Sequence, residues 1–317
     1  MNTNLLNQIK KTSWIWAFLG SLVIWAAISI LTRQFGLGSL FANASLASLL
    51  VIVSIGQMFA ITSGDGGIDL SIPYVITLSA FLSFGLINGS ESNLFMALAV
   101  VLGIGLLVGV LNSVTVLLFK IPPMIATMAV GYILNSAILI YSESYNFAAM
   151  SKIITYIANG RIAGIPFILI FALFAVLVIA FILNSTSYGR SLSAVGQNRF
   201  AAYLAGIQVN KTVMIAYMVS GLFAAIAGVL IGARVNGAFL DMGQPYMLQS
   251  VSAVVIGGTL ISGGKASVVG TALGSLFLIL LSTLMMVTHL PIGAQYVIQG
   301  ILLIAVLVFD VNTKNCD

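Results

Sequence analysis

Between residues 14 and 309 the chain is a succession of apolar runs that charge hardly interrupts, ten of them approaching the length of a bilayer crossing. A transmembrane helix needs roughly 20 such residues, with about 17–25 tolerated. The runs cover 14–32, 44–62, 72–86, 94–119, 124–141, 165–183, 213–233, 248–261, 268–287 and 292–309. Composition agrees: 60% of the residues are apolar and 6% are charged, against about 25% charged in soluble domains. Twelve basic and seven acidic residues could not cover the surface of a soluble chain of this length. In hydrocarbon each ionisable group costs roughly 2.5–3.5 kcal/mol to insert, so the scarcity is what a bilayer demands. The expectation is an all-α integral membrane protein, a single transmembrane domain over 1–317 with about ten helices.

Two runs are short, 72–86 and 248–261, and each lies beside a glycine-rich turn, 64–68 and 257–264. Short, glycine-interrupted spans are expected of broken helices that line a transport path. A short tilted helix with a loose loop is the competing reading. Orientation follows from the basic residues of short loops. With the N-terminus in the cytoplasm, Lys10, Lys11, Lys120, Arg190, Arg199, Lys211, Lys265 and Lys314 fall inside, and Arg33, Lys152, Arg161 and Arg234 outside. Eight against four predicts both termini inside. The run after Lys10 and Lys11 is long for a signal peptide, and no small-x-small cleavage site follows it, so it reads as a retained first span. Two polar segments are long: 142–164, expected outside, and 184–212, expected in the cytoplasm.

Several functions are excluded. The net charge of +5 is carried by scattered residues that build no basic stripe, so nucleic acid is not a partner. His289 and Cys316 are single and far apart, which leaves no metal constellation. No Ser/His/Asp grouping is readable, and the chain is not expected to be an enzyme.

Three glycine-punctuated segments carry the chemistry. In Gly66-Gly67-Ile68-Asp69-Leu70-Ser71 the glycines permit positive φ, and Asp and Ser can cap the following helix, with Ser71 ahead of Pro73. The readings are a capped inter-helix turn or a discontinuity that flexes in gating. Asp65 and Asp69 lie so close to hydrocarbon that both need partners or water. The segment from Tyr188 to Lys211 contains Gly189, Arg190 and Gly196. Asn198 is placed to cap a short helix over 199–205 that carries Arg199, Phe200, Ala201 and Ala202, and Gly206, just before Ile207, is placed to stop it. Such a helix docks into a soluble partner or lies on the membrane surface. The third segment, ending in Gly263-Gly264-Lys265, imitates a phosphate loop. Its glycine-to-lysine spacing is one residue too long, and Ala266 stands where Ser or Thr must hold Mg²⁺. It reads as a tight inner turn.

These segments form an ordered set. Gly66–Ser71 resembles the signature turn of the ribose-type ABC transporter permeases, the membrane subunits of bacterial sugar importers. Ala194-Val195-Gly196-Gln197-Asn198, Ala201-Ala202 and Ala205-Gly206-Ile207 resemble that family's cytoplasmic loop. Ser220-Gly221-Leu222, Ala253-Val254-Val255-Ile256-Gly257-Gly258-Thr259, Gly263-Gly264-Lys265 and Val269-Gly270-Thr271 resemble its later spans, and Gly160-Arg161 with Gly164-Ile165-Pro166 its external segment. Asp65, Pro73 and the Arg199-Phe200 pair depart from the pattern. The resemblance implies a type II-like, ten-span permease of the bacterial inner membrane, paired with a second copy or a similar subunit. It implies a separate cytoplasmic ABC ATPase, on which ATP and Mg act while this chain binds no cofactor. It also implies a periplasmic or lipid-anchored solute-binding protein. The turn would gate the path and 184–212 would couple it to the ATPase. An ion-coupled transporter using Asp65 and Asp69 is the alternative.

Overall fold

The computed structural model describes residues 14–33, 35–143 and 149–314. Each of the ten apolar runs holds a helix, although the run 248–261 is helical only as far as Ile256. The helices in chain order are α1 (Trp14–Thr32), α2 (Leu37–Thr62), α3 (Ile72–Ile87), α4 (Leu94–Leu117), α5 (Pro123–Glu143), α6 (Lys152–Asn159), α7 (Phe167–Ser185), α8 (Ser187–Gln197), α9 (Arg199–Leu204), α10 (Val209–Val235), α11 (Gln244–Ile256), α12 (Val268–Val287) and α13 (Ile292–Lys314). A two-residue hairpin, β1 (Arg161–Ile162) with β2 (Ile165–Pro166), precedes α7. The run expected from residue 165 therefore begins as strand, because Pro166 ends the pairing and only Phe167 onward is helical.

Seven of the described helices are long and apolar enough to cross a membrane unaided. Helices α3 and α11, of 16 and 13 residues, reach only about 24 and 20 Å at 1.5 Å per residue. That is less than a hydrocarbon core of about 30 Å. Each continues into a non-helical glycine turn, 63–71 and 257–267. Main chain outside a helix is tolerated at membrane depth only inside protein, and within 63–71 all but Asp65, Gly66 and Leu70 are buried.

Helices α2 and α10 form the centre. Leu50, Ile52, Val53, Ile55, Met58 and Ile61 are all without exposed surface, so α2 is enclosed on every side. Helix α10 packs on α4, α2 and α3, and α12 packs on α1, α2 and α11. Outer helices show the reverse of a soluble pattern: Leu173, Phe174, Leu177 and Phe181 of α7 are more than half exposed. Such a face belongs against lipid. Small residues set the helix spacing. A Cβ built on Gly221 of α10 would lie 2.1 Å from the Gly105 carbonyl oxygen of α4. The glycine pairs 105/109, 228/232 and 270/274 are all engaged inside this chain, against α10, α3 and α11 respectively.

Candidate functional site: a knot of three glycine turns

Asp69 is buried in the extended stretch between α2 and α3. Its Oδ1 accepts from the Ser71 main-chain N–H at 2.9 Å, from Ser71 Oγ at 2.6 Å and from Asn112 Nδ2 at 3.3 Å. Its Oδ2 accepts from Ser220 Oγ at 2.6 Å. Gln57, with its amide oriented to satisfy both groups, bonds the Asp69 carbonyl and N–H at 3.1 and 3.2 Å. Thr127 Oγ1 accepts from the Leu70 N–H at 3.0 Å. Side chains of α2, α4, α5 and α10 therefore grip one turn. A buried carboxylate is costly unless hydrogen-bonded, and these donors take the place of a cation.

One expectation is corrected here. Ser71 begins α3 but caps it with no side-chain hydrogen bond, because its hydroxyl donates to Asp69 and its oxygen accepts instead from Asn112 Nδ2 at 2.8 Å. Pro73 occupies the first turn, where no N–H is missed.

The three glycine segments, separate in the sequence, meet at one place. Gly196, at the end of α8, faces the Thr62 carbonyl so closely that a Cβ would sit 2.0 Å from that oxygen and 2.4 Å from Gly264 N. A Cβ on Gly263 would lie 2.4 Å from Gly64 Cα. The Gly264 N–H donates to the Thr62 carbonyl at 3.0 Å, and Ser193 Oγ donates to the Gly264 carbonyl. Gly64, Gly263 and Gly264 have φ of +79°, +90° and +82°, a region that side chains disfavour. Three turns thus touch main chain to main chain. The N–H groups of Gly263 and Gly264 are taken by Leu260 and Thr62, so this loop cradles no phosphate.

The rest of the loop packs around the knot. Gly189 lies against Leu183, and its N–H caps onto Thr186 Oγ at 3.3 Å, while Arg190 is exposed. Asn198 caps α9 by accepting from the Ala201 N–H at 3.0 Å. The helix stops at Leu204, with Gly206 at φ +81° and the Ile207 N–H returning to the Ala202 carbonyl. Ala202 is buried and Lys265 exposed. Arg199 Nε lies 2.9 Å from Asp65 Oδ2, an ion pair joining α9 to the turn. Phe200 is 71% exposed, and so are neighbours that sequence reasoning passed over, Tyr203 at 68% and Leu204 at 69%. Also missed were Gln57, Asn112, Thr127 and Ser220. Asn112 had a readable signal, a lone amide inside a long apolar run.

A helical bundle with interrupted spans and an exposed amphiphilic segment at one end has the form of a membrane permease. The family model described as "Branched-chain amino acid transport system / permease component" matches residues 39–307, and the chain belongs to that family. It is a family of transport components rather than of enzymes. The chain is 30% identical over 304 residues to the ribose import permease protein RbsC of Escherichia coli, covering 94% of each chain. It is 28% identical over 300 residues to the RbsC protein of Haemophilus influenzae, covering 93% of this chain and 92% of the relative. The L-arabinose transport system permease protein AraH of Escherichia coli is 30% identical over 306 residues, with 93% and 91% covered. No solved structure gives a significant match.

Proposed function

We propose that this chain is the membrane subunit of an ATP-driven importer of a sugar-like solute, working with an ABC ATPase, a solute-binding protein and a second permease copy. The knot is the observation that supports this most. A displacement of α8 and α9 by a docked ATPase passes through Gly196 and Arg199 to residues 64 and 65. From there it reaches Asp69 and α3, with no flexible side chain in the glycine contacts to absorb it. Helix α3 is short and hangs on that turn, so it is the element that moves as the path alternates. Asp65 and Asp69 are engaged by Arg199 and by hydroxyl and amide donors, an arrangement suited to holding the turn rather than to ferrying ions.

The reading includes ten spans in a bacterial inner membrane, with both termini cytoplasmic and the knot on the cytoplasmic side. Helices α3, α11 and α13 complete the spans, aided by their turns. The solute class follows the relatives named for ribose and L-arabinose import. Uptake of labelled pentose and labelled leucine by cells carrying the chain with its ATPase and binding protein tests the class. Pentose import that stops on deletion of the ATPase is the expected result, and leucine import would reverse the assignment. Reporter fusions after Asp310 and within 142–164 should report opposite sides of the membrane.

A further inference from the structure

Beside the knot, a cleft of about 360 Å³ opens between the end of α4 and helix α9. Its lining combines Lys120, Arg199 and Asp65 with the apolar Leu117, Ile121 and Pro122. Lys120 is held in the left-handed region at φ +55° and is exposed. Leu118 and Phe119, immediately before it and just past the end of α4, are 72% and 65% exposed, so an apolar surface adjoins the cleft. Arg199 Nε lies at ion-pair distance from Asp65, and both its Nε and its Nη2 are without a hydrogen-bond partner among the described residues.

The occupant of this cleft must therefore meet two conditions. It must bring an anionic acceptor, because two cations and only one carboxylate line the cleft. It must also tolerate an apolar wall at the membrane surface. We infer that the cleft holds the phosphate of an anionic phospholipid, with Lys120 and Arg199 as its donors and the acyl chains lying along the end of α4. Basic pockets at the membrane surface recognise such headgroups. This site goes beyond the transport reading and needs only that the chain spans a bilayer. Its position beside the Asp65–Arg199 pair makes the lipid a competitor for Arg199, so lipid charge tunes how firmly α9 holds the turn.

The test measures retention of phosphatidylglycerol by the full-length chain, in complex with its ATPase, after exchange into phosphatidylcholine nanodiscs, read by native mass spectrometry. Lys120→Gln should weaken retention roughly fivefold, the worth of one cation near a membrane surface, and Lys120→Arg should restore it. Arg161→Gln removes a cation beyond the far end of α5 and should change nothing, which controls for folding and for general charge. Equal retention by wild type and Lys120→Gln overturns the proposal, and so does loss in Lys120→Arg, because charge would not be the cause. Displacement of the lipid by inorganic phosphate at matched concentration also overturns it, assigning the cleft to a soluble anion.

Discussion

The two ends of the helical bundle are tied by different means. At one end, the inner end on the proposed topology, three turns meet through glycine main chains at Gly64, Gly196 and Gly263. At the other end a main-chain hydrogen bond from the Gly89 N–H to the Ala149 carbonyl at 2.8 Å is accompanied mostly by side-chain ties. Glu91 accepts from Ser151 Oγ at 2.6 Å and from the Lys152 N–H at 2.5 Å, anchoring the start of α6. Asn159 donates to the Ala233 carbonyl at 3.1 Å, and Arg234 to Ser45 Oγ at 2.9 Å and the Ala158 carbonyl at 3.4 Å. A side chain can rotate about its χ angles and let an element shift, whereas touching main chains must move together or part. On the proposed reading, the end with the glycine knot transmits displacement and the end tied mostly by side chains yields to it.

That contrast can be broken most directly at Gly196. Gly196→Val should abolish uptake while leaving membrane insertion and ATP hydrolysis measurable, because the added carbons meet two main chains. Gly67→Val should behave likewise, since a Cβ there would lie 2.3 Å from the Ala60 carbonyl oxygen. Normal uptake by either variant would remove the claim of rigid transmission. Next in size is Phe200→Ala. An aromatic anchor contributes roughly 2 kcal/mol or more to a protein interface, so co-purification of the ATPase should fall about 30-fold in affinity. Arg199→Ala should weaken assembly less, and reduce instead the uptake obtained per ATP hydrolysed, because Arg199 is paired with Asp65. Full assembly with both variants would place α9 on the membrane surface.

Ser220→Ala removes one of the two hydroxyl donors to Asp69 and leaves Oδ2 without its partner. Unsatisfied buried acceptors cost about 1–3 kcal/mol, which thermal unfolding in detergent would read as a lowered midpoint. An unchanged midpoint would mean that water reaches the turn.

The smallest effect is expected at the outer tie. Hydrogen bonds from Ser151 and then from the Lys152 N–H hold the exposed Glu91 carboxyl below its ordinary value. A depressed carboxyl pKa stabilises above the ordinary glutamate range, and that contribution is lost as pH falls through the lowered value. The protection of 152–159 against hydrogen exchange, taken relative to the intrinsic exchange rate at each pH, should therefore be constant near neutrality and fall in acid. Glu91→Gln should lower that protection near neutrality and match the wild type in acid, with little change in uptake. A large uptake defect in Glu91→Gln would show the outer end to be as tightly coupled as the inner.

Much of this was written locally. The run lengths and the scarcity of charge determined an all-helical membrane chain, because each position in hydrocarbon is selected by its own transfer free energy. The boundaries of α1 and α12 coincide with those of their apolar runs. Asn198 and Gly206 bound a short helix because caps act within a few residues. The docking of Gly64, Gly196 and Gly263 was decided only in three dimensions. Glycine has no side chain whose pattern could announce its partner, and over a hundred residues separate the first from the second. The grip on Asp69 was decided there as well. Asn112 and Ser220 are isolated polar residues on two different helices, and they become a site only because small residues such as Gly105 and Gly221 let α4 and α10 approach so closely.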